Sequence, residues 1–174
     1  LNVRVPESFF GDLNAQIAAC TIGARRVRAL AEKHGANRLP SMIEALLQRS
    51  ETLMRAGIAR IPDGTYSYSD YLDNDGIDLE TPVRFEVTAI VSGDEVTLDF
   101  EGTSPQVRGP FNCVPSGAHA AAYFAMHALT DPTIPTNGGC FRPIHLKLPE
   151  GSVVNPREPA PVNSRTSTIK RMTG

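Results

Sequence analysis

Two spacings of apolar positions divide this chain. Across residues 9–34, Leu13, Ile17, Cys20, Ala24, Val27 and Ala31 recur at alternating intervals of four and three, the seam of an amphipathic helix. Gly35 supplies the stop, because glycine takes the positive φ of a helix C-terminus without strain. Gly23 costs about 1 kcal/mol against Ala inside the helix and implies close approach of a second helix. That second helix is expected to open at Ser41, where Ser41-Met-Ile-Glu44 has the form of a capping box. Ile43, Leu46, Leu47, Met54 and Ile58 form its apolar stripe, which ends near Gly57 and Pro62. The short connection predicts antiparallel neighbours, and each stripe needs the other helix and a further surface to be covered.

From Asp63 the period falls to two. Tyr66 and Tyr68 alternate with serines, Val83, Phe85, Val87, Ala89 and Val91 with Arg84, Glu86 and Thr88, and Val96, Leu98 and Phe100 with polar residues. The last two runs flank Ser92-Gly93-Asp94, a hairpin signal, and clean alternation predicts an antiparallel sheet with one wet face. Ser116 is placed to cap a third helix to about Leu129, residues 144–148 read as one more strand, and the proline-rich residues 149–161 as an extended segment laid along the fold. The elements sum to an α+β fold: an antiparallel helical hairpin (1–62) packed beside an antiparallel sheet, with a further short helix and strand (63–174).

Composition narrows the partners. A length of 174 residues suits one domain, and 41% hydrophobic with 21% charged residues supports a packed core. A net charge of −2 with no basic stripe argues against nucleic acid. No apolar run approaches the roughly 18 residues of a membrane span, and residues 1–7, with Arg4 and Glu7, do not read as a signal peptide. Cys20, Cys113 and Cys140 are odd in number and far apart, which fits reduced thiols in a cytoplasmic protein. Leu1 is not an initiator and a helical pattern is opening at residues 168–174, so both ends read as cuts in a longer chain.

No phosphate loop, nucleophile elbow or zinc spacing is present. Asp73-Asn74-Asp75-Gly76 resembles the start of a calcium loop, but Pro82 stands where the loop needs its ligand Glu, so a turn is expected. His119 and His127 share a stripe with Tyr123 on the third helix, eight residues apart, a poor spacing for a metal pair. His34 suits the negative end of the first helix dipole, and His145, alternating with Ile144 and Leu146, is expected on the wet side of its strand. The catalytic residues are therefore unknown and no metal ligand is assigned. Candidate substrate-binding residues are Asp12 and Gln16, which either point together into a pocket or leave Asp12 serving the positive end of the helix dipole. Asn112, Cys113, Asn137 and Cys140 join them, in tight turns whose amides either line a site or meet the turn's own geometry. Neither of those cysteines has a neighbouring His in sequence to lower its pKa.

Residues 11–16 (GDLNAQ), 71–76 (YLDNDG), 99–113 (DFEGTSPQVRGPFNC), 135–143 (PTNGGCFRP), 149–152 (PEGS) and Asn155-Pro156 together resemble the hydantoinase B/5-oxoprolinase family, over nearly the whole chain. The resemblance implies a piece of the B subunit of an ATP-dependent cyclic-amide hydrolase, opening hydantoin or 5-oxoproline rings. ATP with a divalent metal would serve a hydantoinase A-type partner, which phosphorylates the substrate oxygen. The rest of the B subunit would be the other partner, and no cofactor is expected in this segment itself. Acetone and acetophenone carboxylases resemble the family too, so a piece of a ketone carboxylase, or a non-catalytic docking segment of such an enzyme, stands as the alternative.

Overall fold

The computed structural model describes residues 5–173. Residues 1–4 and Gly174, on which the reading of cut ends and of a missing leader depends, lie outside them. The chain forms two compact units, Leu1–Leu46 and Leu47–Gly174, with the division falling inside the second helix.

In the first unit, α1 runs from Pro6 to His34. Pro6 sits in the first turn, where its missing N–H leaves no helical bond unmade. Gly35 ends the helix at φ 90°, its N–H donating to the Ala31 carbonyl at 2.8 Å. At 29 residues the helix is about 44 Å long. Its seam is bare: no described residue of α1 is buried, and Ile17 and Val27 are each 57% exposed. A Cβ added at Gly23 would meet nothing within 4 Å, so the expected close helix is not there among the described residues. The helical hairpin is completed by α2, Leu39–Ile58, which starts two residues before the expected cap. The Arg38 carbonyl takes the first helical bond, from Met42, and Ser41 Oγ donates back to the same carbonyl. Pro40 explains the shift, since a proline is tolerated in a first turn and not beyond it.

The second unit holds a four-stranded sheet of order β1-β2-β3-β4, with β1 Gly64–Leu72, β2 Val83–Ser92, β3 Glu95–Asp99 and β4 Ile144–Lys147. The first three strands are antiparallel, as the alternation predicts, with Ser92 opposite Glu95 at the hairpin. β4 instead lies parallel to β3, so the sheet is mixed. The reason is α3, Pro115–Leu129, which carries the chain back between the two strands as a helical crossover. Val114 is its N-cap and Pro115 opens the first turn, so Ser116 lies inside the helix and makes no cap. A fourth helix, α4 Arg165–Thr173, occupies the pattern that opens near the end of the sequence.

One sheet face carries the core. Val91, Val96 and Ile144 pack with Met54 and Ile58 of α2 and Met126 of α3, while Val83, Phe85 and Phe100 pack with Ala118, Val153 and Val154. His145 faces the wet side, half-exposed beside Glu95. β3 reaches only as far as Thr88 along β2, and the loop after β3 takes over. Ser104 Oγ accepts from the Arg84 N–H, and Thr103 Oγ1 bonds both the N–H and the carbonyl of Glu86. Side-chain hydroxyls thus continue the ladder where no strand is available.

The buried Asp75 locks this loop. Asp75 accepts from the N–H groups of Ile77 and Asp78 with one oxygen and from Gly109 with the other. The calcium-like motif is therefore a turn whose carboxylate pins residues 102–112. Backbone donors, Asp78 foremost, hold the Asp75 carboxyl below the ordinary carboxylate range. A carboxyl depressed in the fold contributes stability that is present above its unfolded pKa of about 3.9 and is lost as pH falls through the lower folded value. Asp75→Asn should be less stable at neutral pH and lose less between pH 5 and pH 3, read as urea midpoints against pH. Its acid limb is reduced and not abolished, because hydrogen bonds also hold down Glu51, Glu95 and Asp131. Identical pH slopes for wild type and variant would contradict the assignment.

Candidate functional site

The helical stripe His119, Tyr123, His127 and the turn at residues 137–143 meet at one place. Asn137 builds the turn: its Oδ1 accepts from the Gly139 N–H at 2.9 Å, and its Nδ2 donates to Ser50 Oγ of α2 at 2.8 Å. Cys140 follows, fully buried, with Sγ 3.0 Å from the Asn137 carbonyl and 3.4 Å from His127 Nε2. Phe141 then stacks on Tyr123, centroids 3.8 Å apart and planes 7° apart, and meets the His127 ring edge-on at 6.1 Å. His119 packs edge-on against the other member of the stack, Tyr123, at 5.8 Å, and its Nδ1 lies 2.8 Å from the Pro115 carbonyl. The result is a ladder of four rings.

Three rings of the ladder, Tyr123, His127 and Phe141, border a groove of about 670 Å3, completed by Phe124, Pro132 and Thr136. Burial pushes the Tyr123 hydroxyl up, so it stays a protonated donor. Burial likewise pushes the Cys140 thiol up. Cys140 and His127 stand near proton-transfer distance, but a thiol without solvent access and with a raised pKa is held as S–H, not as a nucleophile. It acts as a donor to the Asn137 carbonyl that fixes the turn beneath the groove. A smaller cavity of about 240 Å3 lies between the sheet and the alanine face of α3, with Asp70 and Arg171 among its lining residues, paired to each other at 3.1 Å.

Of the residues singled out from the sequence, Asn137 and Cys140 build the turn that carries Phe141 but are not among the residues that line the groove. Asp12 and Gln16 are exposed on α1 and join no cavity described here. Asn112 is fully buried and spends its amide on the backbone: Oδ1 accepts from Val107, and Nδ2 donates to the carbonyls of Val107, Gly109 and Pro161. Cys113 is buried against Gly117, with its thiol also pushed up by burial. The two turns thus close different parts of the core, and all three cysteines are free. Sequence reasoning missed Phe141 as the ring that completes the stripe and His127 as the partner of Cys140. The only available signal was the aromatic next to Cys140 in a turn that has to return to the third helix.

Among the described residues no three His, Cys, Asp or Glu side chains come together to hold a metal ion, and no helix is long and apolar enough to cross a membrane.

Known proteins are similar to this chain. The description of the family whose profile matches residues 1–174 is hydantoinase B/oxoprolinase. A protein from a Pseudomonas strain, named as the B-type component of a D-/L-hydantoinase, is 38% identical, over 94% of this chain and 29% of its own length. The beta chain of the caprolactamase of Pseudomonas jessenii is 30% identical, over 98% of this chain and 29% of its own. The crystal structure of the ATP-dependent caprolactamase from the same organism superposes with a TM-score of 0.86 at 28% identity, covering 99% of this chain and 30% of that one. The chain therefore spans less than a third of the length of these relatives.

Proposed function

The chain belongs to the hydantoinase B/oxoprolinase family, and we propose that it forms part of the B subunit of an ATP-dependent enzyme that opens cyclic amides. The observation that carries this reading is the family match over residues 1–174, together with relatives, matching 94% and 98% of the chain, named as the B-type component of a hydantoinase and the beta chain of a caprolactamase. Both names imply a companion chain. In this reading activation of the amide falls to an A-type ATP-binding partner. This chain supplies folded walls and, at the aromatic groove, a place for a small ring. Likeness to an acetone carboxylase, at 19% identity and a TM-score of 0.77, speaks to the fold and gives carboxylation no separate support.

The test is made in the assembled enzyme. The full-length B subunit, co-purified with its A-type partner, should open lactam or hydantoin rings with phosphate released in proportion to product. The 174-residue chain alone should open none, with or without ATP. Ring opening by the isolated chain without ATP, or an assembled enzyme that acts on ketones and on no cyclic amide, would overturn the reading.

A further inference from the structure

Resting on that reading, we infer that the groove bordered by Tyr123, His127 and Phe141 seats an uncharged cyclic amide and turns away rings that carry a carboxylate. Its volume, about 670 Å3, falls within the roughly 300–1,000 Å3 of small-molecule sites. Its walls are largely carbon: the Tyr123–Phe141 stack, Phe124 at 64% exposure, and Pro132. A small ring of methylenes gains by covering such walls. The lining residues with polar side-chain atoms are Tyr123, Thr136 and His127. An amide edge presents one N–H and one carbonyl, which such donors and acceptors match.

Charge decides between ring classes. No Lys, Arg, Asp or Glu is among the residues that line the groove. The Asp131 carboxylate lies within electrostatic reach of His127 and opposes a second negative charge there. Arg60, the cation that bears on Asp131, donates to the Thr130 carbonyl at 3.3 Å and does not line the groove. A ring carboxylate entering this space would give up water with no Lys or Arg on the lining to replace it, which is costly. A neutral lactam or hydantoin ring meets no such barrier.

Titration of the chain with 2-piperidone, hydantoin and 5-oxoproline at pH 7, followed by NMR, separates the cases. The two neutral rings should bind with Kd on the order of 1 mM and shift resonances of Tyr123 and His127, with 5-oxoproline at least about tenfold weaker. Phe124→Ser, at an exposed position, should weaken the neutral rings about tenfold while melting like wild type. Thr136→Lys, also at an exposed position, supplies the missing cation and should bring 5-oxoproline to within about twofold of the neutral rings. Equal binding of all three rings by wild type, binding indifferent to both substitutions, or no binding of any ring would overturn the assignment. Those outcomes leave the family-level reading standing, whereas neutral-ring binding without ATP-coupled turnover in the assembled enzyme would sink that reading and spare the groove.

Discussion

Asn112→Ala should cost about 3–5 kcal/mol of unfolding free energy and lower the thermal midpoint by roughly 10 °C. The Asn112 side chain is fully buried and meets four backbone groups: the N–H and carbonyl of Val107 and the carbonyls of Gly109 and Pro161. Alanine leaves these groups without partners, and a buried orphan costs more than the net worth of the bond it lost. Asn112→Asp tests the direction of the bonds. It keeps an acceptor for Val107 N–H but turns a negative charge toward three carbonyl oxygens, so it should destabilise at least as much. Asp73→Ala, at an exposed position in the neighbouring turn, should stay within about 0.5 kcal/mol. Urea unfolding followed by circular dichroism checks the series, and an Asn112→Ala protein as stable as Asp73→Ala would remove the structural role given to this side chain. Any loss of turnover in the assembled enzyme would then follow from the fold, not from contact with substrate.

What could be read from the sequence was local and periodic. The change from helical spacing to alternation at Asp63 placed the helices and the first three strands, because side-chain period is a property of neighbouring residues. The caps at Ser41 and Ser116 were misplaced for one shared reason. Pro40 and Pro115 each sit in a first turn, and each helix begins earlier than its Ser would set. The parallel placement of β4 depends on where α3 returns the chain, and alternation within Ile144–Lys147 carries no direction. The seam of α1 was legible as a pattern, but a pattern does not supply a partner, and none of its residues is buried. The groove was half visible. His119, Tyr123 and His127 announced a stripe at helical spacing, while the ring stacked on Tyr123 arrives from Phe141 in a different turn. Asn112 and Asp75 were hardest, because a buried amide or carboxylate looks like a site residue until its backbone partners, up to 49 residues away, are known.

Adjacent glycines in the groove's supporting turn should behave in opposite ways. A Cβ on Gly139 would overlap the Leu47 carbonyl oxygen of α2 and stand 2.7 Å from the Leu47 Cα. Those are backbone atoms of a helix that also buries Met54 and Ile58 in the core, so no flexible tip can move aside. Gly139→Ala should therefore cost on the order of 3 kcal/mol or more. A Cβ on Gly138 meets nothing within 4 Å, and Gly138→Ala should be neutral or gain a few tenths of a kcal/mol from a stiffer unfolded chain. The consequences extend to the site. Moving residue 139 away from α2 strains the Asn137–Ser50 bond at 2.8 Å and the seat of Cys140, which together aim Phe141 at Tyr123. Gly139→Ala should consequently weaken neutral-ring binding and flatten the near-ultraviolet dichroism of the stacked tyrosine at temperatures where helix content is still native. Gly138→Ala should do neither. Equal melting temperatures for the two variants would mean that the turn is not clamped against α2 as the structure places it, and the groove would lose the rigid floor on which its selectivity depends.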